Sequence, residues 1–314
     1  MATPQWLGVY PAMLTPFKAD DSIDFEMFTH NLNAQLDAGI DGVVMGGSLG
    51  EASTLLNEEK TALLQHCKKT MNRQVPAIVT VAEQSTRAAI AVAQNAEANG
   101  ADGLMILPPM RYKADDRETV QYFTSIAAST ALPIMIYNNP YDYKIEVTIA
   151  MFEELAKIKT IESIKESTRD VSNVTRLKNA FGDRYKILCG VDTLALEELA
   201  LGADGWVGGL VDAFPAETVA VFRLMKAGRY AEALEIYRWF LPVLELDIHP
   251  KLVQYIKLAA AQTGLGTEYV RAPRLVIEGD ERKRVLATIQ KAIATRPSLP
   301  DTIMAAHKKT AALV

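Results

Sequence analysis

Apolar and polar positions along this chain fall into two alternating kinds of segment. The first kind is a short, nearly unbroken apolar run, at residues 8–14, 76–82, 133–139, 161–167 and 185–191. Runs of that length without polar alternation suit strands covered on both faces, as in a parallel sheet. Three more follow a repeated phrase: Gly39-Ile40-Asp41-Gly42 before Val43-Val44-Met45, Gly100-Ala101-Asp102-Gly103 before Leu104-Met105-Ile106, and Gly202-Ala203-Asp204-Gly205 before Trp206-Val207. The first glycine of each phrase suits the left-handed position that ends a helix, so each phrase predicts a helix stop feeding a buried strand. The second kind of segment, at 57–71, 86–99, 117–130 and 172–181, carries apolar residues at helical spacing. Strict alternation of eight strands with helices predicts a (β/α)8 barrel over residues 6–228, with a doubly wound open sheet as the rival topology. Beyond Gly228 the pattern is helical only, at 230–246, 250–263 and 280–295. This predicts a C-terminal helical extension over 229–296, read as an oligomer surface, and a weakly patterned tail at 297–314.

Composition narrows the choice of partners. At 314 residues and 49% hydrophobic, the chain has enough apolar material for a core of barrel size. A formal net charge of -5 gives no basic excess for nucleic acid or anionic lipid. No stretch approaches the roughly 20 apolar residues that span a bilayer, and the amino end, Met1 to Trp6, lacks a basic segment followed by an apolar core. A cytoplasmic protein is expected. Cys67 and Cys189 form no CxxC pair, and His30, His66, His249 and His307 are scattered, so no disulfide and no metal site is expected.

A barrel keeps its chemistry where strands run out into loops at the carboxyl face. The segments there are Gly46-Gly47-Ser48-Leu49-Gly50-Glu51 after strand two, Tyr137-Asn138-Asn139-Pro140 after strand five, Lys165-Glu166-Ser167 after strand six and Gly190-Val191-Asp192-Thr193 after strand seven. An ammonium in an apolar strand is costly unless paired, neutral or used, and a desolvated lysine amine is available to attack a carbonyl. Taken alone, Lys165 also fits a strand-end lysine reaching solvent beside Glu166, and Tyr137 fits an aromatic at the core rim. On adjacent strands at matching depth, the two fall within reach of each other. The glycine-rich turn offers backbone N–H groups and the Ser48 hydroxyl to a carboxylate, although such turns are common; it fits neither a dinucleotide nor a Walker pattern.

The order Gly8-Val9-Tyr10-Pro11-Ala12-Met13-Leu14-Thr15-Pro16-Phe17, Gly47-Ser48-Leu49-Gly50-Glu51, Tyr137-Asn138-Asn139-Pro140 and Lys165-Glu166-Ser167 resembles the dihydrodipicolinate synthase and N-acetylneuraminate lyase family, from about residue 6 to 295. The resemblance implies that Lys165 forms an imine with a 2-oxo acid or its cyclic-imine equivalent and that Tyr137 relays protons. It implies that Ser48 and the Leu49 amide hold the carboxylate, with Gly190, Asp192 and Gly208 as further substrate-binding positions. It also implies a homotetramer with no metal or organic cofactor.

Several positions depart from that pattern. Ser48-Leu49 stands where dihydrodipicolinate synthases have two threonines, Pro109-Met110-Arg111 where they present a tyrosine to a neighbouring subunit, and Asp142 where they have an arginine for the second substrate's carboxylate. Asp192 keeps a possible sugar-hydroxyl ligand of the sialic acid lyases, but Thr193 replaces their acid. The set resembles the 1-pyrroline-4-hydroxy-2-carboxylate deaminases of hydroxyproline breakdown, which release ammonia and 2-oxoglutarate semialdehyde. Dihydrodipicolinate synthase, a 2-oxo-acid aldolase and a sugar-acid dehydratase are the enzyme rivals. A metabolite-binding barrel without turnover is the reading of another class, and the presence of both Lys165 and Tyr137 argues against it.

Overall fold

The computed structural model describes residues 3–72, 74–109, 112–300 and 303. Met110, Arg111 and most of the expected tail lie outside these. Eight parallel strands, β1 (Gly8–Pro11), β2 (Val43–Met45), β3 (Ala77–Val81), β4 (Gly103–Ile106), β5 (Ile134–Asn138), β6 (Ile161–Glu166), β7 (Lys186–Cys189) and β8 (Gly205–Gly208), run in the order β1-β8-β7-β6-β5-β4-β3-β2. A parallel bridge from Ala12 to Val44, with the Met13 amide donating to the Val44 carbonyl at 2.8 Å, joins β1 to β2. That contact closes the ring and excludes the open sheet.

Around the ring lie α1 (Phe25–Ala38), α2 (Asn57–Met71), α3 (Thr86–Ala98), α4 (Asp116–Ala127), the single turn α5 (Pro140–Tyr143), α6 (Ile149–Leu155), α7 (Ser172–Phe181), α8 (Ala195–Ala200) and α9 (Pro215–Lys226). The extension follows as α10 (Tyr230–Leu244), a 3-10 turn at Glu245–Ile248, α11 (Leu252–Gln262) and α12 (Gly279–Ala294). Strand alternation divides the core in two. Ile134, Ile136 and Ile164 face outward into the layer beneath the helices, whereas Met135, Tyr137 and Leu188 belong to a second cluster inside the ring with Tyr10, Ile78 and Met105. Trp6 stacks on Tyr10 at the amino end of that interior, so the barrel is filled rather than hollow.

The repeated phrase acquires a mechanical meaning at this amino end. Gly39, Gly100 and Gly202 all take positive φ, 87°, 84° and 102°, as a helix stop requires. Each following aspartate reaches back to the strand before its own: Asp41 accepts the Val9 amide at 2.8 Å, Asp102 the Ala77 amide at 2.9 Å and Asp204 the Ile187 amide at 2.9 Å. Asp102 and Asp204 are also paired with Lys68 and Lys178. The three phrases are therefore the same clamp used on β1, β3 and β7.

Candidate active site

The carboxyl ends of the strands enclose a small cavity of about 70 Å³. A larger groove of about 600 Å³ lies between α2 and α3, but it is an open trough on the outer surface. The small cavity gathers Ser48, Leu49, Tyr137, Asn139, Asp142, Tyr143, Lys165, Arg169, Gly190, Gly209 and Asp247.

Tyr137 and Lys165 are register partners on β5 and β6, and both point into the ring. The Lys165 ammonium nitrogen sits 4.2 Å from the centroid of the Tyr137 ring, and the two side chains are buried, at 6% and 8% exposure. Glu166, one residue on, faces the opposite way and accepts bonds from the Thr168 amide and the Asn173 side chain. It is no partner for Lys165, and Lys165 does not reach solvent. Burial lowers the Lys165 pKa, against the pull of Asp247 and Asp192, and so favours the neutral amine that attacks carbonyl carbons. Burial likewise pushes the Tyr137 phenol up to about 12, which keeps its proton available for transfer. Gly190 makes the geometry possible: a Cβ there would stand 2.7 Å from Lys165 Cε and 2.2 Å from Ser167 Oγ.

The two asparagines after Tyr137 fold the next loop over the cavity. Asn138 binds both the amide and the carbonyl of Val147. Asn139 caps α5 by accepting the Asp142 amide, and its Nδ2 donates to Asp142 Oδ2 at 2.7 Å and to the Tyr137 hydroxyl at 3.2 Å. This path brings Tyr143 back into the site, where its hydroxyl lies 2.5 Å from Ser48 Oγ and its ring meets Tyr137 edge-on at 5.4 Å. A tyrosine of the same chain thus reaches the Ser48 turn, which the sequence reading had left without a phenolic partner after strand four.

The remaining expected residues separate. Ser48, Leu49 and Gly190 line the cavity, and Asp192 and Gly208 do not. The Asp192 carboxylate is turned away to accept the Trp206 indole N–H and the Gly209 and Leu210 amides, so it shapes the turn after β8 rather than facing a ligand. Besides Tyr143, two charged lining residues were missed. Asp247 comes from the 3-10 turn after α10, in a segment that the sequence reading assigned to an outlying extension. Arg169 stacks on Tyr141 at 3.4 Å from the ring centroid and brings a cation to the rim of a site in which Asp142 stands at the position of the family's arginine. Backbone strain offered a signal only after folding: Glu51, Lys144 and Arg169, all on loops around the cavity, are non-glycine residues with positive φ.

Comparison with known proteins bears on this geometry. The profile of the dihydrodipicolinate synthetase family matches residues 5–292. The 4-hydroxy-tetrahydrodipicolinate synthase of Exiguobacterium sibiricum is 34% identical over 271 residues, covering 85% of this chain and 90% of that protein. The corresponding protein of Moorella thermoacetica is 30% identical over 287 residues, covering 91% and 98%. Among solved structures, the 4-hydroxy-tetrahydrodipicolinate synthase of Methylacidiphilum fumariolicum superposes with a TM-score of 0.88 at 28% identity, covering 92% of this chain and 96% of that one. A dihydrodipicolinate synthase of Bacillus anthracis gives 0.88 at 29%, covering 95% and 100%. The likeness runs through barrel and extension alike, and the chain belongs to the dihydrodipicolinate synthetase family of Schiff-base-forming lyases.

Proposed function

We propose that Lys165 is the imine-forming nucleophile, with Tyr137 as its proton carrier and Ser48 and the Leu49 amide holding the substrate carboxylate. We further propose that the reaction is the deamination of 1-pyrroline-4-hydroxy-2-carboxylate. The observation that carries the substrate choice is the Asp142 carboxylate in the wall beyond Lys165, beside the Asp247 carboxyl, in a small cavity. Such a wall suits a compact substrate with one carboxylate, a ring nitrogen and a hydroxyl, and it disfavours a second carboxylate. The chemistry balances. Lys165 adds at C2 and opens the ring; loss of a C3 proton and of the 4-hydroxyl as water follows through the iminium. Loss of a C5 proton and protonation at C4 turn the C5 amine into an iminium, whose hydrolysis releases ammonia; protonation at C3 and hydrolysis at C2 then free 2-oxoglutarate semialdehyde, two waters being consumed in all.

A second reading is 4-hydroxy-tetrahydrodipicolinate synthase. The names of the relatives favour it, and Arg169 on the rim is a cation within the site. The purified enzyme decides between them. Ammonia and semialdehyde appearing from the hydroxypyrroline, with no consumption of aspartate semialdehyde beside pyruvate, supports the deaminase; efficient condensation supports the synthase. The family resemblance also points to a homotetramer, which mass photometry checks.

A further inference from the structure

The turn Glu245–Ile248 lies outside the eight strand-helix units, yet Asp247 lines the cavity with Lys165 and Tyr137. One hydrogen bond holds it there and a glycine leaves it room. Its Oδ2 accepts the Asp192 amide at 3.3 Å beyond the end of β7, and its Oδ1 lies where a Cβ added to Gly209 beyond β8 would come within 3.0 Å. Asp192 itself is occupied by three donors, whereas Asp247 is the acid of the two that borders the open space.

We infer that Asp247 is a further catalytic residue, the acid that protonates the ring nitrogen as Lys165 opens a cyclic imine. The inference rests on the deaminase reading above. In this step the bond from Lys165 Nζ to C2 forms and the bond from C2 to the ring nitrogen breaks, its electron pair going to nitrogen. That nitrogen gains two protons, one shed by the Lys165 nitrogen after attack and one from Asp247. The products are a primary amine, a Lys165 iminium cation and an Asp247 carboxylate beside it. The proton released when water cleaves the iminium returns to Asp247. The groups facing this carboxyl are Lys165 from β6, Asp192 after β7, Asp142 from α5 and Tyr137 from β5. Burial and then the Asp192 charge push Asp247 up to about 8 against the pull of Lys165, so its proton is present at neutral pH and lost above it.

The test compares the unsubstituted enzyme with Asp247→Asn, which can still accept the Asp192 amide. Turnover of 1-pyrroline-4-hydroxy-2-carboxylate should fall on the order of 10²-fold or more, as for loss of a general acid. The borohydride-trapped adduct with pyruvate, which has no ring nitrogen to expel, should form to the same extent. The alkaline fall of kcat/KM above pH 8 should disappear in the variant. Turnover within threefold of the unsubstituted enzyme, or equal loss of the pyruvate adduct, overturns the role of Asp247. Should the variant fail to fold, a kcat/KM of the unsubstituted enzyme that stays level from pH 7 to 9.5 overturns it instead. No turnover of the hydroxypyrroline by the unsubstituted enzyme overturns the deaminase reading and this inference with it.

Discussion

At the amino end of the barrel, Asp41, Asp102 and Asp204 each accept a backbone amide from the neighbouring strand, and two of them also hold a lysine. At the carboxyl end, Asp142 and Asp247 line a cavity with Lys165, an amine whose pKa is lowered by burial. The same residue type is arranged for closure at one end and for reactivity at the other. Buried polar groups with complete sets of partners stabilise the fold, whereas groups kept short of partners are available to a substrate. Substitutions at the two ends should therefore fail in different ways.

The largest effect is expected at Lys165. Lys165→Met should abolish turnover and remove the mass adduct that borohydride fixes with pyruvate, while thermal melting stays the same or rises because a desolvated amine has been replaced by a thioether. Mass spectrometry of the tryptic peptide checks the site, and a label on another lysine would sink the assignment. Tyr137→Phe comes next, with turnover lowered on the order of 10² to 10⁴ in a folded protein, since the ring still fills its place. An unchanged rate would return Tyr137 to the core rim. Removing the hydroxyl from Tyr143 takes away the partner of Ser48, and steady-state rates should drop roughly 10-fold to 10²-fold, less than for Tyr137 because Ser48 can turn to water.

The opposite behaviour is expected at the amino end. Asp102→Asn weakens the Ala77 clamp and the pair with Lys68, and should cost about 2 kcal/mol by denaturant titration with kcat/KM within twofold of the parent. A lost rate with unchanged stability would break the contrast between the ends. The smallest effect concerns Glu198 on α8, whose buried carboxyl lies beside Glu166 and the Cys189 thiol and whose pKa burial pushes up to about 9. The folded state then binds more protons than the unfolded one, so this residue's contribution is present at pH 4 and is lost as pH rises toward 9. Glu198→Gln should accordingly raise the melting temperature at pH 8 and leave it nearly unchanged at pH 5; an equal gain at both values would argue against it.

How much of this was legible in the sequence divides along the same axis. The strands and the three clamps repeat, and repetition with regular apolar runs is what pattern reading detects. The pairing of Tyr137 with Lys165 was legible because neighbouring parallel strands keep register, so two positions near strand ends could be set side by side. Tyr143, Arg169 and Asp247 were not, because each arrives by an irregular path. Tyr143 depends on two asparagine side chains folding a loop, Arg169 on a positive φ, and Asp247 on a turn roughly 80 residues away in sequence from the lysine it faces. Asp192 misled for the converse reason. The family resemblance implies a ligand there, but the indole and amides around it claim the carboxylate first.

Glu51, at the end of the turn that bears Ser48, is fully buried against Lys257 of α11 at 2.5 Å, and Lys257 donates also to the Tyr269 carbonyl at 2.6 Å. Breaking such a pair strands a charge in the interior at a cost of about 3 to 5 kcal/mol. The fastening has a consequence for synthesis. A chain emerging from the ribosome exposes β1 to β8 first, with Lys165 and Tyr137 already in it, but Glu51 at the end of the Ser48 turn lacks its lysine partner until residues past 250 have followed. The barrel can thus be fully translated while the enzyme is still incomplete, and it is the turn Glu245–Ile248 and α11 that finish the site.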